Sequence, residues 1–185
     1  MRGAVGRAGC QAARVLLRPR RDEDLPAVVE VLRAVHAADD YPSRWPDDPA
    51  GWMSLPGLHG AWVAVAPTDG AVVGHVALVA PARLPEGPPA GGPGTAEVVR
   101  LLVAPDRRRS GVGSLLLAEA VAAARADGLD VDLQVVAGSG AVDVYARLGW
   151  VETRRHAASW VGADGVRPQV VRMVPPGRAA AEAAP

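Results

Sequence analysis

One segment constrains this chain most. The apolar run Glu97-Val98-Val99-Arg100-Leu101-Leu102-Val103 passes through Ala104-Pro105-Asp106-Arg107-Arg108-Arg109-Ser110 into Gly111-Val112-Gly113-Ser114 and a stretch rich in alanine and leucine. In that stretch Val112, Leu116, Ala120 and Ala123 share a helical face, and Gly128 sits where a helix usually stops. The reading is strand, basic glycine-bearing turn, helix. Free backbone N–H groups at a helix start, with the positive end of its dipole, form an anion site, and glycines let a phosphate approach the main chain. A phosphate-bearing ligand is the functional reading. The alternative is a helix start packed tightly on a sheet, with the arginines in a solvated turn. Two phosphate motifs fail: no Gly-Lys-Ser/Thr follows, and the third glycine of a dinucleotide fingerprint would fall at Leu116.

The rest of the chain supplies a sheet for that unit. Residues 1–14 read as a disordered tail, followed by a short strand from Val15 to Arg18 ended by Pro19. Asp22 or Asp24 can cap an amphipathic helix in which Leu25, Val28, Val29, Leu32 and Val35 recur at helical spacing. Tyr41 to Gly60 carries prolines with Tyr41, Trp45 and Trp52, a loop or short helix packed over something. Ala61–Ala66 and Ala71–Val79 read as antiparallel strands joined by Pro67-Thr68-Asp69-Gly70. Residues 81–94, with five Pro and four Gly, form an exposed connection within one domain. Val131–Val136 is a strand, Ala141–Leu148 a short helix, and Val151–Trp160 with Arg167–Val174 a closing hairpin around Asp164-Gly165. The tail 175–185 reads as disordered, so the folded domain spans 15–174.

Composition excludes several classes. At 185 residues there is room for one domain. Twenty basic and twenty acidic residues cancel, which argues against nucleic acid as a partner. No apolar run spans a bilayer and no secretory leader is apparent, so the expectation is a cytoplasmic protein without a membrane partner. The single cysteine, Cys10, provides neither a disulfide framework nor a metal cluster. Lys, Asn, Ile and Phe are absent, which fits a GC-rich bacterial genome.

Three motifs together resemble the GNAT (Gcn5-related) N-acetyltransferases. Arg108-Arg109-Ser110-Gly111-Val112-Gly113 is similar to that family's Gln/Arg-x-x-Gly-x-Gly/Ala loop and is preceded by Val103-Ala104-Pro105. The opening from Leu17 to Leu32 looks like its first strand and helix, and Tyr145-Ala146-Arg147-Leu148-Gly149-Trp150 looks like its Tyr-x-x-x-Gly-Phe signature. One departure stands at Gly138, where the family often has an Asn that contacts the pantetheine arm. The resemblance implies an α/β (α+β) GNAT fold: a mixed, mostly antiparallel sheet of six or seven strands flanked by about four helices, parting between the strands that end at Val103 and Val136.

The resemblance also implies a site. The main chain of Leu101, Leu102 and Val103 would pair with the pantetheine arm of acetyl-CoA, one amide polarising the thioester carbonyl. Arg108, Arg109, Ser110, Gly111, Val112, Gly113 and Ser114 would hold the pyrophosphate, with no more than two of the three arginines touching it. Tyr145 would act as the acid toward sulfur, reaching it from the start of the short helix, against the alternative of a core tyrosine. Glu97, fourteen residues before Gly111, would be the base, since a carboxylate in an apolar sheet has its pKa raised toward neutrality. The alternative for it is a solvated strand-end Glu.

The implied function is transfer of acetyl from acetyl-CoA, as co-substrate, to a small-molecule or peptide amine, directly in a ternary complex. No serine or cysteine is placed to be acylated, no metal is expected, and a homodimer stays open. His75 has two readings, a second base or a hydrogen-bonded sheet histidine. His36, Asp39 and Asp40 read better as helix-end polar residues than as metal ligands. Tyr41, Trp45, Asp47, Asp48 and Trp52 could serve a cationic amine or a packed lid. Rival functions are a non-catalytic acyl-CoA-binding module, a longer acyl donor, and a serine hydrolase built on Ala137-Gly138-Ser139-Gly140-Ala141. The last is left with His156 as its only downstream histidine, close by and on a predicted strand, in a chain short for that fold.

Overall fold

Among the described residues, alternation of β-branched residues, broken by glycine- and proline-bearing turns, gives seven strands, and four helices lie between them. The computed structural model describes residues 15–79, 94–162 and 165–177. In chain order these are β1 (Leu16–Pro19), α1 (Leu25–Asp39), α2 (Pro49–Met53), β2 (Leu58–Val65), β3 (Val72–Val79), β4 (Thr95–Val103), α3 (Val112–Ala126), β5 (Asp130–Val136), α4 (Gly140–Arg147), β6 (Val151–Ala157) and β7 (Gln169–Val174). The expected tail at 1–14, residues 178–185 of the expected tail at 175–185, and nearly all of the expected connection at 81–94 lie outside the described residues, while Pro175 of the second tail is buried. Among the described residues no helix is long and apolar enough to cross a membrane.

One sheet holds all seven strands in the order β1-β2-β3-β4-β5-β7-β6, and every neighbour pair is antiparallel except β4 with β5. The β2–β3 hairpin closes as its turn residues dictate. Gly70 takes a φ of 74° and Asp69 Oδ1 accepts from the Ala71 N–H at 3.1 Å. Helix α1 buries Val28, Val31, Leu32 and Val35 on one face of the sheet together with Met53, Val63 and Leu102. Helix α3 buries Val112, Leu116, Leu117, Ala120 and Ala124 on the other, over Ala64, Val76, Leu78, Val98 and Leu133. Strand β3 is therefore covered on both faces, which is why Val-Val-Gly-His-Val-Ala-Leu-Val is apolar almost throughout.

The parallel pair is short. Strand β4 meets β5 only from Thr95↔Asp130 to Val98↔Leu133. Beyond that rung β4 stays with β3 as far as Val103, while β5 stays with β7 as far as Val136. A wedge opens between them. Below it the sheet buries an ion pair, Arg172 Nε to Asp132 Oδ2 at 2.7 Å.

At the other edge Asp24 locks β1 to the start of α1. Its carboxylate accepts from Arg18 Nη1 and Nη2 at 2.6 and 2.7 Å and from the Arg21 N–H at 2.7 Å. The Arg18 guanidinium holds the carboxyl down from its ordinary 3.8 to about 2, against the opposing effect of burial. A carboxyl lowered in the folded chain contributes stability above its unfolded value, and that contribution fades as pH falls through the folded one. Asp24→Asn is accordingly expected to melt a few degrees below the wild type near neutral pH. The difference should shrink as pH falls from about 4 toward 2; an offset constant across a melting series in that window would show that the Arg18 pair contributes nothing.

Candidate functional site

The site begins with an irregularity in β4. Val76 of β3 faces two residues of β4, Arg100 and Leu101, because the register steps from His75↔Leu102 to Ala77↔Val99. Arg100 stands at the bulge with a φ of 54°, a conformation that costs a non-glycine residue about 1–3 kcal/mol and is held by its surroundings. The holder is His75, fully buried. Arg20 Nη1 donates to His75 Nε2 at 3.3 Å, which leaves Nδ1–H to donate to the Arg100 carbonyl at 3.0 Å. Burial pushes His75 down to about 4, and the cations Arg20 and Arg100 add to that. The ring is neutral and both nitrogens are engaged, so His75 takes the second of its two readings.

Beyond Val98 the opposite edge of β4 has no strand partner among the described residues. The main chain of Leu101, Leu102 and Val103 therefore borders the wedge, and an extended ligand can add there as a strand would. Leu102 is buried against α1, while Leu101 and Val103 pack partly buried on the α3 side.

The turn after β4 is anchored by the Ala104 N–H to the Val73 carbonyl at 2.9 Å. Arg109 and Gly111 take φ values of 59° and 87°, which turn the chain into α3. Gly111 caps the helix with no side-chain bond, and Leu115 is the first residue whose N–H reaches back, to the Gly111 carbonyl at 3.1 Å. Among the described residues no protein acceptor meets the N–H groups of Val112, Gly113 and Ser114. That is an uncapped, positive helix end with four half-exposed to exposed residues, Arg109, Ser110, Gly111 and Ser114, around it. Ser110 Oγ donates to the Arg107 carbonyl at 2.5 Å. Arg108 forms a two-pronged pair with Asp39, Nη1 to Oδ1 at 2.9 Å and Nη2 to Oδ2, tying the turn to the end of α1.

The start of α3 is pinned on the sheet at Gly74. A Cβ there would lie 2.9 Å from Leu116 Cδ1, 3.0 Å from the Leu102 carbonyl oxygen and 3.1 Å from Val112 Cγ1. Gly74→Ala is therefore expected to cost about 1–3 kcal/mol by overpacking. Thermal melting reads that cost, and an unchanged midpoint would show that α3 yields freely.

Glu97 lies at the last rungs of the parallel ladder, paired with Asp132 and Val79. It is buried at 7 % exposure, and Gln134 Nε2 donates to both of its oxygens at 3.2 and 3.3 Å. The solvated strand-end alternative does not describe it. Tyr145 is the sixth of eight residues in α4, not at its start as expected, since the helix runs from Gly140 to Arg147. Its ring lies 6.1 Å from that of Trp150, and no described residue hydrogen-bonds its hydroxyl. Burial first, and Tyr41 second, push its phenol well above its ordinary value of 10. Gly138 takes a φ of 79°, a conformation glycine adopts without strain.

The aromatic segment after α1 covers the sheet face that carries Glu97 and His75. Tyr41 meets Trp52 edge-on at 6.1 Å, and Trp45 lies 5.3 Å from His36. Arg100 stacks on Trp52 with Cζ 3.3 Å from the ring centroid, and Arg33 lies 5.0 Å over Trp45. Asp48 caps α2 by accepting from the Gly51 N–H at 2.9 Å. Sequence reasoning missed Arg20, Arg100 and Gln134. The available signal was the single charge inside Glu97–Val103, an otherwise apolar strand after its first residue.

A family model described as the acetyltransferase (GNAT) family matches residues 25–150. No curated protein matches at a significant level. Solved structures do match in fold. The ribosomal-protein-alanine N-acetyltransferase of Brucella melitensis is 25% identical, with 85% of this chain and 97% of that chain covered at a TM-score of 0.63. NAA60 of Arabidopsis thaliana, solved in complex with acetyl-CoA, is 20% identical, with 86% and 97% covered at 0.65. A GCN5-related N-acetyltransferase from Kribbella flavida is 22% identical, with 86% and 95% covered at 0.59.

Proposed function

The chain belongs to the acetyltransferase (GNAT) family, and from that premise and the arrangement at the wedge we propose that it moves an acetyl group from acetyl-CoA to the primary amine of an acceptor, directly in a ternary complex. The observation that carries the reading is the parting of β4 and β5 after Val98, beside a helix whose first amides have no acceptor among the described residues. A long thin ligand with a diphosphate suits such a slot.

In this reading Leu101, Leu102 and Val103 offer main-chain bonds to the pantetheine arm, and one of their amides polarises the thioester carbonyl. The amides of Gly111 to Ser114 and the turn Arg108–Ser110 receive the diphosphate. Because Arg108 is already paired with Asp39, the backbone carries most of that contact. The acceptor arrives as an ammonium and must lose a proton before it attacks. Glu97, positioned by Gln134, takes it directly or through a water. The amine nitrogen bonds to the carbonyl carbon and the C–S bond breaks; the second proton leaving the nitrogen ends on the departing sulfur, which leaves as the CoA thiol with the hydrogen bond of Tyr145 on it as it goes. Holding amine and thioester together supplies much of the rate.

Calorimetric titration with acetyl-CoA, CoA and a long-chain acyl-CoA tests the reading. Micromolar acetyl-CoA binding, tighter than that of the long chain, is the expected result. No binding of any of the three overturns it, and binding without turnover of any amine points to an acyl-CoA-binding module instead.

A further inference from the structure

Several arginines on and around this sheet end on a carboxylate: Arg18 on Asp24, Arg108 on Asp39, Arg155 on Glu152 and Arg172 on Asp132. The two beside the β4 bulge do not. Arg20 donates to the Met53 carbonyl at 2.6 Å and to His75, and Arg100 Nε donates to the Trp52 carbonyl at 3.4 Å; neither forms an ion pair among the described residues. Arg100 is half-buried, aimed by a strained backbone and laid flat on Trp52. One of its five N–H donors is used by the Trp52 carbonyl, and the fork of its two terminal nitrogens has no acceptor among the described residues. A planar fork so fixed matches a carboxylate in two parallel bonds.

The same observations count against a cationic acceptor. Trp52 and Trp45 each already hold a guanidinium over the ring, Arg100 and Arg33, and Asp48 is spent on its helix cap. A second cation beside Arg20 and Arg100 meets repulsion.

We propose that Arg100, stacked on Trp52, binds an anionic oxygen group of the acceptor, so that the acceptor is an amine that also carries a carboxylate, as free amino acids do. The inference rests on the transferase reading of this site. An amine at the wedge beside Glu97 and a carboxylate three residues further along β4 at Arg100 fix the two ends of a small acceptor on one sheet face.

The test compares each of a set of free amino acids with its own α-amide, and aspartate and glutamate with asparagine and glutamine. Putrescine and spermidine are included, and turnover is followed by CoA release. The wild type is expected to prefer acids over amides by at least about 10-fold in kcat/KM, mostly through KM. Arg100→Gln should bring that ratio close to one, and Arg100→Lys should keep part of it, since it retains the charge but loses the fork. Melting curves and acetyl-CoA titration of each variant confirm an intact fold and donor site, and the wild-type ratio needs no variant at all. Faster turnover of amides or polyamines, or a ratio that survives Arg100→Gln, overturns the inference. If that happens with normal acetyl-CoA affinity, the transferase reading stands; if the wild type binds no acetyl-CoA, both fall.

Discussion

Gly111→Trp is expected to weaken acetyl-CoA binding by at least about 100-fold while the protein stays folded. Gly111 sits at a φ of 87° immediately before the three amides of α3 that no described residue accepts. Any L side chain there strains the backbone by about 1 kcal/mol or somewhat more, which melting would read as a loss of a few degrees. Space is not the difficulty for the protein itself, because an added Cβ would have no heavy atom within 4 Å. That openness makes the variant informative: the side chain leaves the backbone into open space at an exposed position, and an indole there covers the approach to the helix end. Gly111→Ala separates the two effects. It carries the same φ strain without the bulk, so it should lose little affinity. Equal losses in Ala and Trp would assign the effect to strain, and unchanged affinity in Trp would remove the phosphate-loop assignment.

Why that loop was legible in the sequence, and Arg100 was not, has a physical reason. The loop is local: a strand, two glycines and a helical period within about twenty residues announce a helix end facing a strand tip. The β2–β3 hairpin was readable for the same reason, since its turn chemistry lies inside four residues. The β4 run reads as uniform strand, and strict alternation would put Val98 and Leu102 on one face. In the fold they lie on opposite faces, Val98 with α3 and Leu102 with α1, because the bulge inserts one residue between them. Only the packing of His75 against the Arg100 carbonyl, 25 residues away in sequence, fixes where that insertion falls. Arg108 is a similar case. Its place in the motif was plain, but its tie to Asp39 spans 69 residues and depends on where α1 ends. Tyr145 falls in the second half of α4, not at its start, because the motif fixes the residue but not its distance from Gly140, where the helix opens.

Tyr145→Phe is expected to lower kcat by about 100-fold, with acetyl-CoA affinity changed by less than about twofold. The hydroxyl has no hydrogen-bond partner among the described residues, so its removal orphans nothing and should leave the melting temperature where it was. A core tyrosine with a bonded hydroxyl would behave in the opposite way, losing stability at a wild-type rate. The pH dependence carries the argument further. Burial and the neighbouring Tyr41 raise the phenol above its ordinary 10, so the protonated form, the one that can donate, persists through the neutral range and past that value. An ordinary thiol titrates near about 8.5, so the phenol holds its proton more tightly than the sulfur does. Its contribution is then the hydrogen bond to sulfur as the C–S bond lengthens. The ratio of wild-type to Tyr145→Phe rates should therefore stay level from about pH 7 to about pH 10. A ratio that collapses as pH approaches the ordinary phenol value would mean that Tyr145 ionises there, and a ratio of one throughout would return it to the core beside Trp150.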